Sequence, residues 1–310
     1  MNAEKHAVMS LTKLPAVQEF FDRHRNHGST HAPIAAFDCD GTVISGDIGE
    51  AMLYHQIERF WFKVSPADVW PDHPGRAELD RRFRLLAGLP DDERRRHPEF
   101  PLFADTILDW YFGQINDGMV IKSCADIVRL FAGFTETEVR EFARLAFEWE
   151  RTAPRGRRLL GKRHVPGGVR FLTEAVDLLH EAKRRGMEVW AISGSSRWSV
   201  EPVFEALGIS SDRVIGIEME TAAGVVTPVE IPPIPIRQGK VDAMKARNIP
   251  MPVLVASDSR NDIPLFKACT GLKVRVNSRG RSSAEFFEAY GGPEDDAWIN
   301  IEQPTIGGQP

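Results

Sequence analysis

The sequence predicts an α/β protein in which a parallel sheet forms the core and a large helical segment is inserted after the first strand. An apolar run from Ile34 gives way to two aspartates before Thr42 (IAAFDCDGT), which is typical of a buried strand with a polar carboxyl end. From Gly167 onward, helix and strand patterns alternate, as they do in α/β sheets. No convincing strand pattern interrupts residues 46–166. We therefore expect a core domain of residues 1–45 and 167–310 and a helical cap domain over residues 46–166.

The composition indicates a globular protein with small-molecule partners. With 310 residues and 42% hydrophobic content, the chain can build a substantial core. A net charge of −5 argues against a general nucleic-acid binder, because such proteins usually carry a basic balance. The cysteines (Cys39, Cys124, Cys269) lack C-x-x-C spacing, so neither a disulfide framework nor a zinc site is indicated. The first twenty residues mix charges and no later run reaches about 18 apolar residues, so we expect a soluble, cytoplasmic protein without membrane contact.

The first part of the chain is predicted as helices around the first strand. Residues 14–26 form an amphipathic pattern with Pro15 in the first turn, typical of a helix that packs across a sheet. Asp47 to Phe62 has the apolar spacing of a helix that leaves the carboxyl end of the strand. Ser65 to Pro101 is rich in Pro, Asp and Arg, which predicts loops around a short helix.

The rest of the insertion is predicted as helical up to residue 150. Helical patterns cover Leu102 to Gln114, Ala125 to Phe131 and Glu136 to Glu150. Thr135 followed by Glu138 forms a capping box at the start of the last helix. The stretch from Arg151 to Arg170 contains seven Lys or Arg and no acid, which favours a solvated connector over an anion-attracting face.

The second half of the chain follows the pattern of a sheet with helices on its faces. Helices are predicted over Val169 to Arg185, over Trp198 to Leu207 and from about Gly239. Strands are predicted over Met187 to Ile192, Arg213 to Glu218, Gly224 to Val229, Pro252 to Ser257 and, as the last strand, Leu272 to Val276. The second and third of these strands flank Thr221–Gly224 and indicate a hairpin. We expect the tail, residues 303–310, to be poorly ordered.

Three predicted strands end in polar clusters, namely Asp38–Thr42, Ser193–Ser196 and Ser257–Asp262. The carboxyl ends of parallel strands meet at one edge of a sheet, so together these clusters predict a site. By itself, the D-x-D pair also fits an Asx-turn or a calcium loop. An EF-hand loop that starts at Asp38 would need glycine at its sixth position and an acid at its twelfth, whereas the chain has Val43 and Gly49 there.

The residue types in these clusters suit phosphoryl transfer. The SGSS segment at Ser193–Ser196, placed before a helix, offers backbone N–H groups and a hydroxyl to a phosphate. Asp38 and Asp258, supported by Asp262, provide the hard oxygen ligands that Mg²⁺ takes. Lys240 adds a positive charge from another loop. Carboxylates, a metal ion and a lysine around a phosphate-sized anion stabilise the transferring group mainly by neutralising its charge.

At this point the chain resembles the haloacid dehalogenase superfamily of aspartate-nucleophile phosphatases, which have a Rossmann-like parallel-sheet core. The motifs of that superfamily are matched in order by Asp38-x-Asp40-x-Thr42, Ser193, Lys240 and Asp258-x-x-x-Asp262. Ser257 stands where the fourth motif usually has glycine. The helical insertion corresponds to the C1-type cap of the superfamily and is similar to that of the phosphoserine phosphatases and the phosphorylcholine phosphatases. It is larger than the cap of typical phosphoserine phosphatases.

This resemblance implies a Mg²⁺-dependent phosphomonoester hydrolase. Asp38 is then the nucleophile that forms an aspartyl-phosphate, and Asp40 is the general acid and base. The implied metal site consists of Asp38, the backbone carbonyl of Asp40 and Asp258, with Asp262 and Asn261 orienting metal-bound water. The implied phosphate ligands are Thr42, Ser193, Gly194 and Lys240. The cap would close over the first step and open for product release.

Two other functions remain open from the sequence. A phosphotransferase or mutase would use the same intermediate and pass the phosphoryl group to a second hydroxyl in place of water. A non-catalytic protein that binds Mg²⁺ or phosphate for regulation would be expected to lack Asp38 or Asp40, and this chain has both.

The predicted substrate is a small phosphomonoester with an amine or ammonium group. In the phosphoserine phosphatases an acid at the position that matches Asp47 faces the substrate amine, and Glu50 is close enough in sequence to assist. The alternative is that Asp47 is only a favourable charge at a helix N-terminus. Five aromatic residues of the cap either form its core or line a pocket that holds the ammonium group. These residues are Trp61, Trp70, Trp110, Tyr111 and Trp149.

Overall fold

The computed structural model describes residues 11–24, 32–277, 283–292 and 298–302 and contains eleven strands in this part of the chain. They are β1 (Ile34–Phe37), β2 (Ile44–Ser45), β3 (Gly156–Leu160), β4 (Arg163–Gly167), β5 (Arg170–Phe171), β6 (Glu188–Ser196), β7 (Val214–Ala222), β8 (Val225–Ile231), β9 (Leu254–Ser257), β10 (Leu272–Asn277) and β11 (Trp298–Glu302).

Thirteen α-helices lie in the same described ranges. They are α1 (Pro15–Arg23), α2 (Ile48–Glu58), α3 (Pro66–Val69), α4 (Arg76–Ala87), α5 (Asp91–Arg96), α6 (Glu99–Asn116), α7 (Val120–Arg129), α8 (Glu136–Thr152), α9 (Thr173–Arg184), α10 (Arg197–Glu205), α11 (Gln238–Ala246), α12 (Ile263–Ala268) and α13 (Ser283–Tyr290). Among the described helices, none is long and apolar enough to cross a bilayer.

Seven strands form the central sheet in the order β11-β10-β9-β1-β6-β7-β8. Neighbouring strands are parallel except for β7 and β8, which form an antiparallel hairpin at one edge. Phe37, the last residue of β1, lies opposite Ala191 of β6 and Ala256 of β9. The residues that follow β1, β6 and β9 therefore leave the sheet at the same edge, as predicted for an α/β fold.

The central strand β1 is buried along its whole length, because helices cover both faces of the sheet. Ala35 and Phe37 belong to a hydrophobic cluster that includes residues of α1, α9 and α10. Ile34 and Ala36 point to the opposite face, into a cluster with residues of α11 and α12. The predicted parallel-sheet core is confirmed, and its layers place the polar strand ends between the sheet and the inserted helices.

The insertion has its own hydrophobic cluster, and this cluster extends onto the β7–β8 hairpin. Phe103 of α6 shares it with Ile217 of β7 and Val226 of β8. The backbone makes the same connection, since Gly133 N–H donates to the carbonyl of Val226 (2.9 Å) and Val226 N–H donates to that of Phe134 (2.8 Å). The inserted helices are thus joined to the sheet by both side chains and backbone.

The insertion also contains a hairpin, β3–β4, so the prediction that no strand lies within residues 46–166 is wrong. Gly161 at its turn has a positive φ of 62°. The basic residues that suggested a solvated connector pair with acids of the neighbouring helices. Arg158 contacts Glu58, and Arg163 contacts Asp109 at 2.6 Å. These acids are distant in sequence, and a local count of charges misses them.

Other differences lie at element boundaries. Residues 65–101, predicted as loops around a short helix, form α3, α4, α5 and the start of α6. The helix predicted from Val169 begins at Thr173, because Arg170–Phe171 pairs with β2. The strand β10 is followed by a further strand, β11, which pairs with it in parallel. The predicted capping box of α8 is confirmed. The tail, residues 303–310, lies outside the described residues.

Candidate active site

The end of β1 places two carboxylates at the start of the insertion. Asp38 continues the ladder beyond the strand, since its N–H donates to the carbonyl of Ala256 in β9 (2.9 Å). The chain then turns at Gly41, which has a positive φ of 74°. Oδ1 of Asp40 accepts the N–H of Ile48 at 2.7 Å. Asp40 is therefore fixed between the sheet edge and the first turn of α2.

The end of β6 supplies two hydroxyl groups directed at Asp40. Oγ of Ser195 donates to Oδ2 of Asp40 at 2.7 Å, and Oγ of Ser193 lies 3.4 Å from the same oxygen. The SGSS segment belongs to the strand β6, and α10 begins only at Arg197. The prediction that SGSS lies directly before a helix is confirmed, because Ser196 is the N-cap of α10, whereas the strand continues to Ser196 and does not end at Ile192 as predicted.

Lys240 connects the first and fourth motifs. It is buried (3% exposed), and its Nζ donates to Oδ1 of Asp38 at 2.9 Å and to Oδ2 of Asp262 at 2.8 Å. The hydroxyl of Ser257 also donates to Asp262. Serine at this position, a departure from the usual glycine, thus gives Asp262 a second donor.

One cavity of about 540 Å³ is lined by Asp38, Asp40, Ser193, Ser195, Lys240 and Asp262, among others. Every predicted site residue reaches its wall except Thr42, which is fully buried and does not line it. A contact between Thr42 and a phosphate in the cavity is therefore not supported.

The cavity concentrates negative charge. Burial, together with the charges of Asp262 and Asp258, raises the pKa of Asp38 to about 7, although Lys240 opposes this shift. Burial, followed by the charges of Asp47 and Asp38, raises the pKa of Asp40 well above its ordinary value. A divalent cation bound here would relieve this repulsion.

The donor set fits Mg²⁺ by its chemistry. Carboxylate oxygens of Asp38 and Asp258 and a backbone carbonyl are hard ligands, and both side chains are buried at the cavity wall. Among the described residues, no group of three or more His, Cys, Asp or Glu stands in a metal-binding arrangement. The predicted Mg²⁺ ligands are two carboxylates and a backbone carbonyl, which is fewer than three side chains of these types. The absence of a larger group therefore does not contradict the predicted metal site.

The end of the cavity formed by α2, α6 and α7 is acidic and partly apolar. Oδ1 of Asp47 accepts the N–H of Glu50 at 2.9 Å, so Asp47 caps α2 and also lines the cavity. The carboxylate of Glu50 accepts the hydroxyls of Tyr54 (2.8 Å) and Tyr111 (3.3 Å). Apolar side chains such as Ile127 complete this end.

The five aromatic residues predicted as a possible ammonium pocket do not form one together, since only Tyr111 among them lines the cavity. Trp61 stacks on Phe134, and Trp70 and Trp110 donate to Asp126. Trp149 packs against His55. The prediction of an aromatic pocket for an ammonium group is therefore not supported by these four tryptophans.

Sequence reasoning missed several polar residues of the cavity lining, among them Ser195, Arg237, Arg260 and Arg275. Ser195 lies two residues after the motif serine, and Arg260 lies inside the fourth motif, so their positions gave a local signal. Arg275 ends up at the cavity because β10 pairs with β9, where it lies opposite Ser257.

Comparison with known proteins agrees with this geometry. Residues 35–267 match the model of the haloacid dehalogenase-like hydrolase family. Because this match covers most of the chain, the protein belongs to that family, and the resemblance predicted from the four motifs is confirmed. All four motifs lie within the matched range.

Individual relatives are more distant. A phosphoserine phosphatase of Halobacterium salinarum is 28% identical over 120 residues, which cover 37% of this chain and 56% of that protein. The match thus spans about half the length of this relative.

Two solved structures share the fold. A conserved protein of unknown function from Anaerococcus prevotii superposes with a TM-score of 0.68 at 17% identity, over 86% of this chain and 85% of that one. A protein of unknown function from Bordetella pertussis has a TM-score of 0.51 at 18% identity, over 88% and 99% of the two chains. At these identities the likeness concerns the fold alone.

Proposed function

We propose that this protein hydrolyses a small phosphomonoester through an aspartyl-phosphate on Asp38, with Mg²⁺ as cofactor. The observation that carries this proposal is the cluster around Asp38. Its carboxylate is buried, held by Lys240 at 2.9 Å, and shares one cavity wall with Asp40, Ser193 and Asp258. This cluster supports the proposal, because the residues proposed as nucleophile, proton carrier, cation and metal ligand all line a space that can take a phosphate.

In the first step, an oxygen of Asp38 bonds to phosphorus and the bond from phosphorus to the leaving oxygen breaks. Asp40 gives its proton to that oxygen, so an alcohol leaves. The raised pKa of Asp40 suits this role, because burial and the neighbouring acids favour the protonated carboxyl that the step needs. The hydrogen bonds from Ser195 and Ile48 hold the carboxyl toward the cavity.

In the second step, water attacks the phosphorus of the aspartyl-phosphate. Asp40 takes the proton of this water, the acyl-phosphate bond breaks, and inorganic phosphate and the carboxylate of Asp38 are formed. The hydroxyl of Ser193, the N–H of Gly194 and the amine of Lys240 would bind the phosphoryl oxygens.

Asp38, the carbonyl of Asp40 and Asp258 would hold Mg²⁺, with Asp262 and Asn261 supporting its water ligands. The bound ion would neutralise charge on the transferring phosphoryl group. In our proposal, residues 46–166 act as a cap that shields this step from water, over a core of residues 1–45 and 167–310. A cytoplasmic location stays a prediction.

For the substrate, we propose an amine or ammonium group on the alcohol part. Two acids, Asp47 and Glu50, line the cap end of the cavity, and Ile127 adds apolar surface beside them. The two acids attract a cation, and the apolar surface can contact an alkyl chain of the substrate. The phosphoserine phosphatase of Halobacterium salinarum supports the same substrate type.

A panel of phosphomonoesters tests both parts of the proposal. The purified protein is assayed for phosphate release from amine-bearing esters, p-nitrophenyl phosphate, sugar phosphates and nucleotides, with Mg²⁺ or with EDTA. We expect Mg²⁺-dependent release, led by the amine-bearing esters. Full activity in EDTA would exclude the metal, and a panel led by sugar phosphates or nucleotides would exclude the amine.

An Asp47→Asn variant sharpens the substrate test. It should raise KM for the amine-bearing ester far more than for p-nitrophenyl phosphate, which has no cation to lose. Asp212→Asn, an exposed aspartate that does not line the cavity, serves as the control and should change neither value. Equal effects of Asp47→Asn on both substrates would refute the role of Asp47.

A further inference from the structure

Three arginines line the same cavity and have no role in the mechanism above. Arg237 lies just before α11, Arg260 lies after β9, and Arg275 lies on β10. They come from three separate segments, yet the fold brings all three side chains to the lining of one cavity. Three arginines in one cavity lining are suited to an anion.

Arg237 is held in an unusual backbone conformation. Its φ of 55° and ψ of −127° lie in a region that residues with a side chain rarely adopt. The turn around it is tight, because a Cβ on Gly239 would lie 1.8 Å from the carbonyl oxygen of Ile234. Strained residues of this kind cluster at binding and catalytic sites. Nε of Arg237 donates to Oδ1 of Asn261 at 3.3 Å.

Arg260 and Arg237 are both exposed. Within the described residues, neither forms an ion pair with a carboxylate. The cavity lining also contains acids, among them Asp258, Asp262, which is bound by Lys240 and Ser257, and Glu285 of α13. In the part of the chain that the structure describes, none of these acids neutralises either exposed arginine by an ion pair.

Arg275 is different, because its side chain is almost completely buried (1% exposed). Its guanidinium carbon lies 5.1 Å from the ring centroid of Phe286, so the aromatic ring of α13 fixes its position. A side chain that is already fixed loses little conformational freedom when an anion binds to it. Binding an anion therefore costs less free energy at a fixed cation than at a mobile one. Both Arg275 and Phe286 lie beyond residues 35–267, outside the range that matches the family model.

We propose that Arg237, Arg260 and Arg275 bind a second anionic group of the substrate, either a carboxylate or a second phosphate. This inference rests on the proposed phosphatase function and narrows its substrate to a phosphomonoester with two anionic groups. The planar fork of an arginine donates two parallel hydrogen bonds to either kind of group. An amine beside Asp47 and an anion beside the arginines can belong to the same alcohol.

The test compares substrates that differ only in the second anion. Phosphoserine and phosphoethanolamine differ by a carboxylate, and the bisphosphate and monophosphate of propane-1,3-diol differ by a phosphate. We expect the wild-type protein to have a higher kcat/KM for the member of a pair that carries the extra anion. Arg237→Ala and Arg260→Ala, both exposed positions, should each reduce this preference by about 10- to 100-fold.

The readout is the ratio of kcat/KM within each pair, so that a loss common to both members, such as one transmitted from Arg237 through Asn261, cancels. Arg184→Ala, an exposed arginine of α9, is the matched control and should preserve the preference. Arg275 is buried, so the variant for this position is Arg275→Lys. Lysine keeps the positive charge but lacks the planar pair of N–H donors of the guanidinium group. The variant should reduce the preference while the protein unfolds at a similar temperature.

The outcomes separate the possibilities. A preference in only the first pair identifies a carboxylate, and one in only the second pair identifies a phosphate. An equal loss on both members of each pair would show that the arginines bind the transferring phosphoryl group and would overturn the proposal, as would no loss at all. Mg²⁺-dependent hydrolysis of p-nitrophenyl phosphate tests the phosphatase function separately. Its absence refutes that function, whereas its presence without any anion preference refutes only the arginine subsite.

Discussion

Replacing Lys240 by methionine should destabilise the protein and inactivate it. Lys240 is the cation between two buried carboxylates, with Nζ 2.9 Å from Asp38 and 2.7 to 2.8 Å from Asp262. Methionine keeps most of the apolar volume of the lysine and removes the charge. The variant therefore leaves both acids in the same buried space without their common partner.

The expected loss is large, because removing one partner of a buried ion pair typically costs about 3 to 5 kcal/mol. It should depend on pH. Burial and the neighbouring acids hold the pKa of Asp38 at about 7 even beside Lys240, and without the amine it rises further. A carboxyl whose folded pKa lies above its unfolded value of 3.8 contributes less stability as the pH rises between the two. The deficit of Lys240→Met should thus be larger at pH 8 than at pH 6.

Urea unfolding in EDTA at pH 6 and pH 8 measures this effect, with Lys245→Met, an exposed position on the same helix, as the control. In a second series with Mg²⁺ in place of EDTA, we expect Lys240→Met to regain part of the lost stability, because the ion would neutralise the unpaired acids. A variant within about 0.5 kcal/mol of the wild-type protein at pH 8, the range usual for surface substitutions, would refute this reasoning.

Two further predictions concern neighbours of the site. Ser195→Ala should lower kcat about 3- to 10-fold, because Asp40 loses a hydrogen-bond donor. Gly49→Ala should have the same effect, since its Cβ would lie 2.7 Å from Oγ of Ser195 and displace that hydroxyl. Because both changes act through the same hydroxyl, kcat of the double variant should be no lower than kcat of either single variant. Glu150→Gln should cost about 2 kcal/mol near pH 7 in urea unfolding, because Glu150 accepts a buried hydrogen bond from His55. Burial would raise the pKa of Glu150, but its hydrogen-bond and charge partners hold that pKa below the ordinary value of 4.5. The stability difference between the wild-type protein and Glu150→Gln should therefore shrink as the pH falls below 4.5. A difference that stays constant with pH would contradict this assignment.

The sequence was most informative where neighbouring residues determine the structure. The apolar run before Asp38 predicted a buried strand, because a strand covered on both faces needs continuous apolar residues. Thr135 and Glu138 predicted the start of α8, because a capping box is a local contact. The spacing of the motifs predicted which residues meet, because parallel strands carry their ends to one edge.

Features that depend on distant partners were missed. The hairpin β3–β4 was hidden by its basic residues, whose acids lie on other helices. The SGSS segment continues β6 because Ser196 pairs with Ile217 of β7, after a shift in register. The depth of Thr42 and the position of Arg275 at the cavity follow from the packing of whole layers, which no local pattern reports.

The central claim, that Asp38 is the nucleophile, is tested most directly by the rate of Asp38→Asn. With Mg²⁺ and the best ester of the panel, we expect its kcat to fall by more than about 1,000-fold, because the variant keeps the shape of the side chain and removes the attacking carboxylate. Its unfolding transition should remain cooperative. A folded Asp38→Asn variant that retains a tenth or more of the wild-type rate would contradict the proposed mechanism.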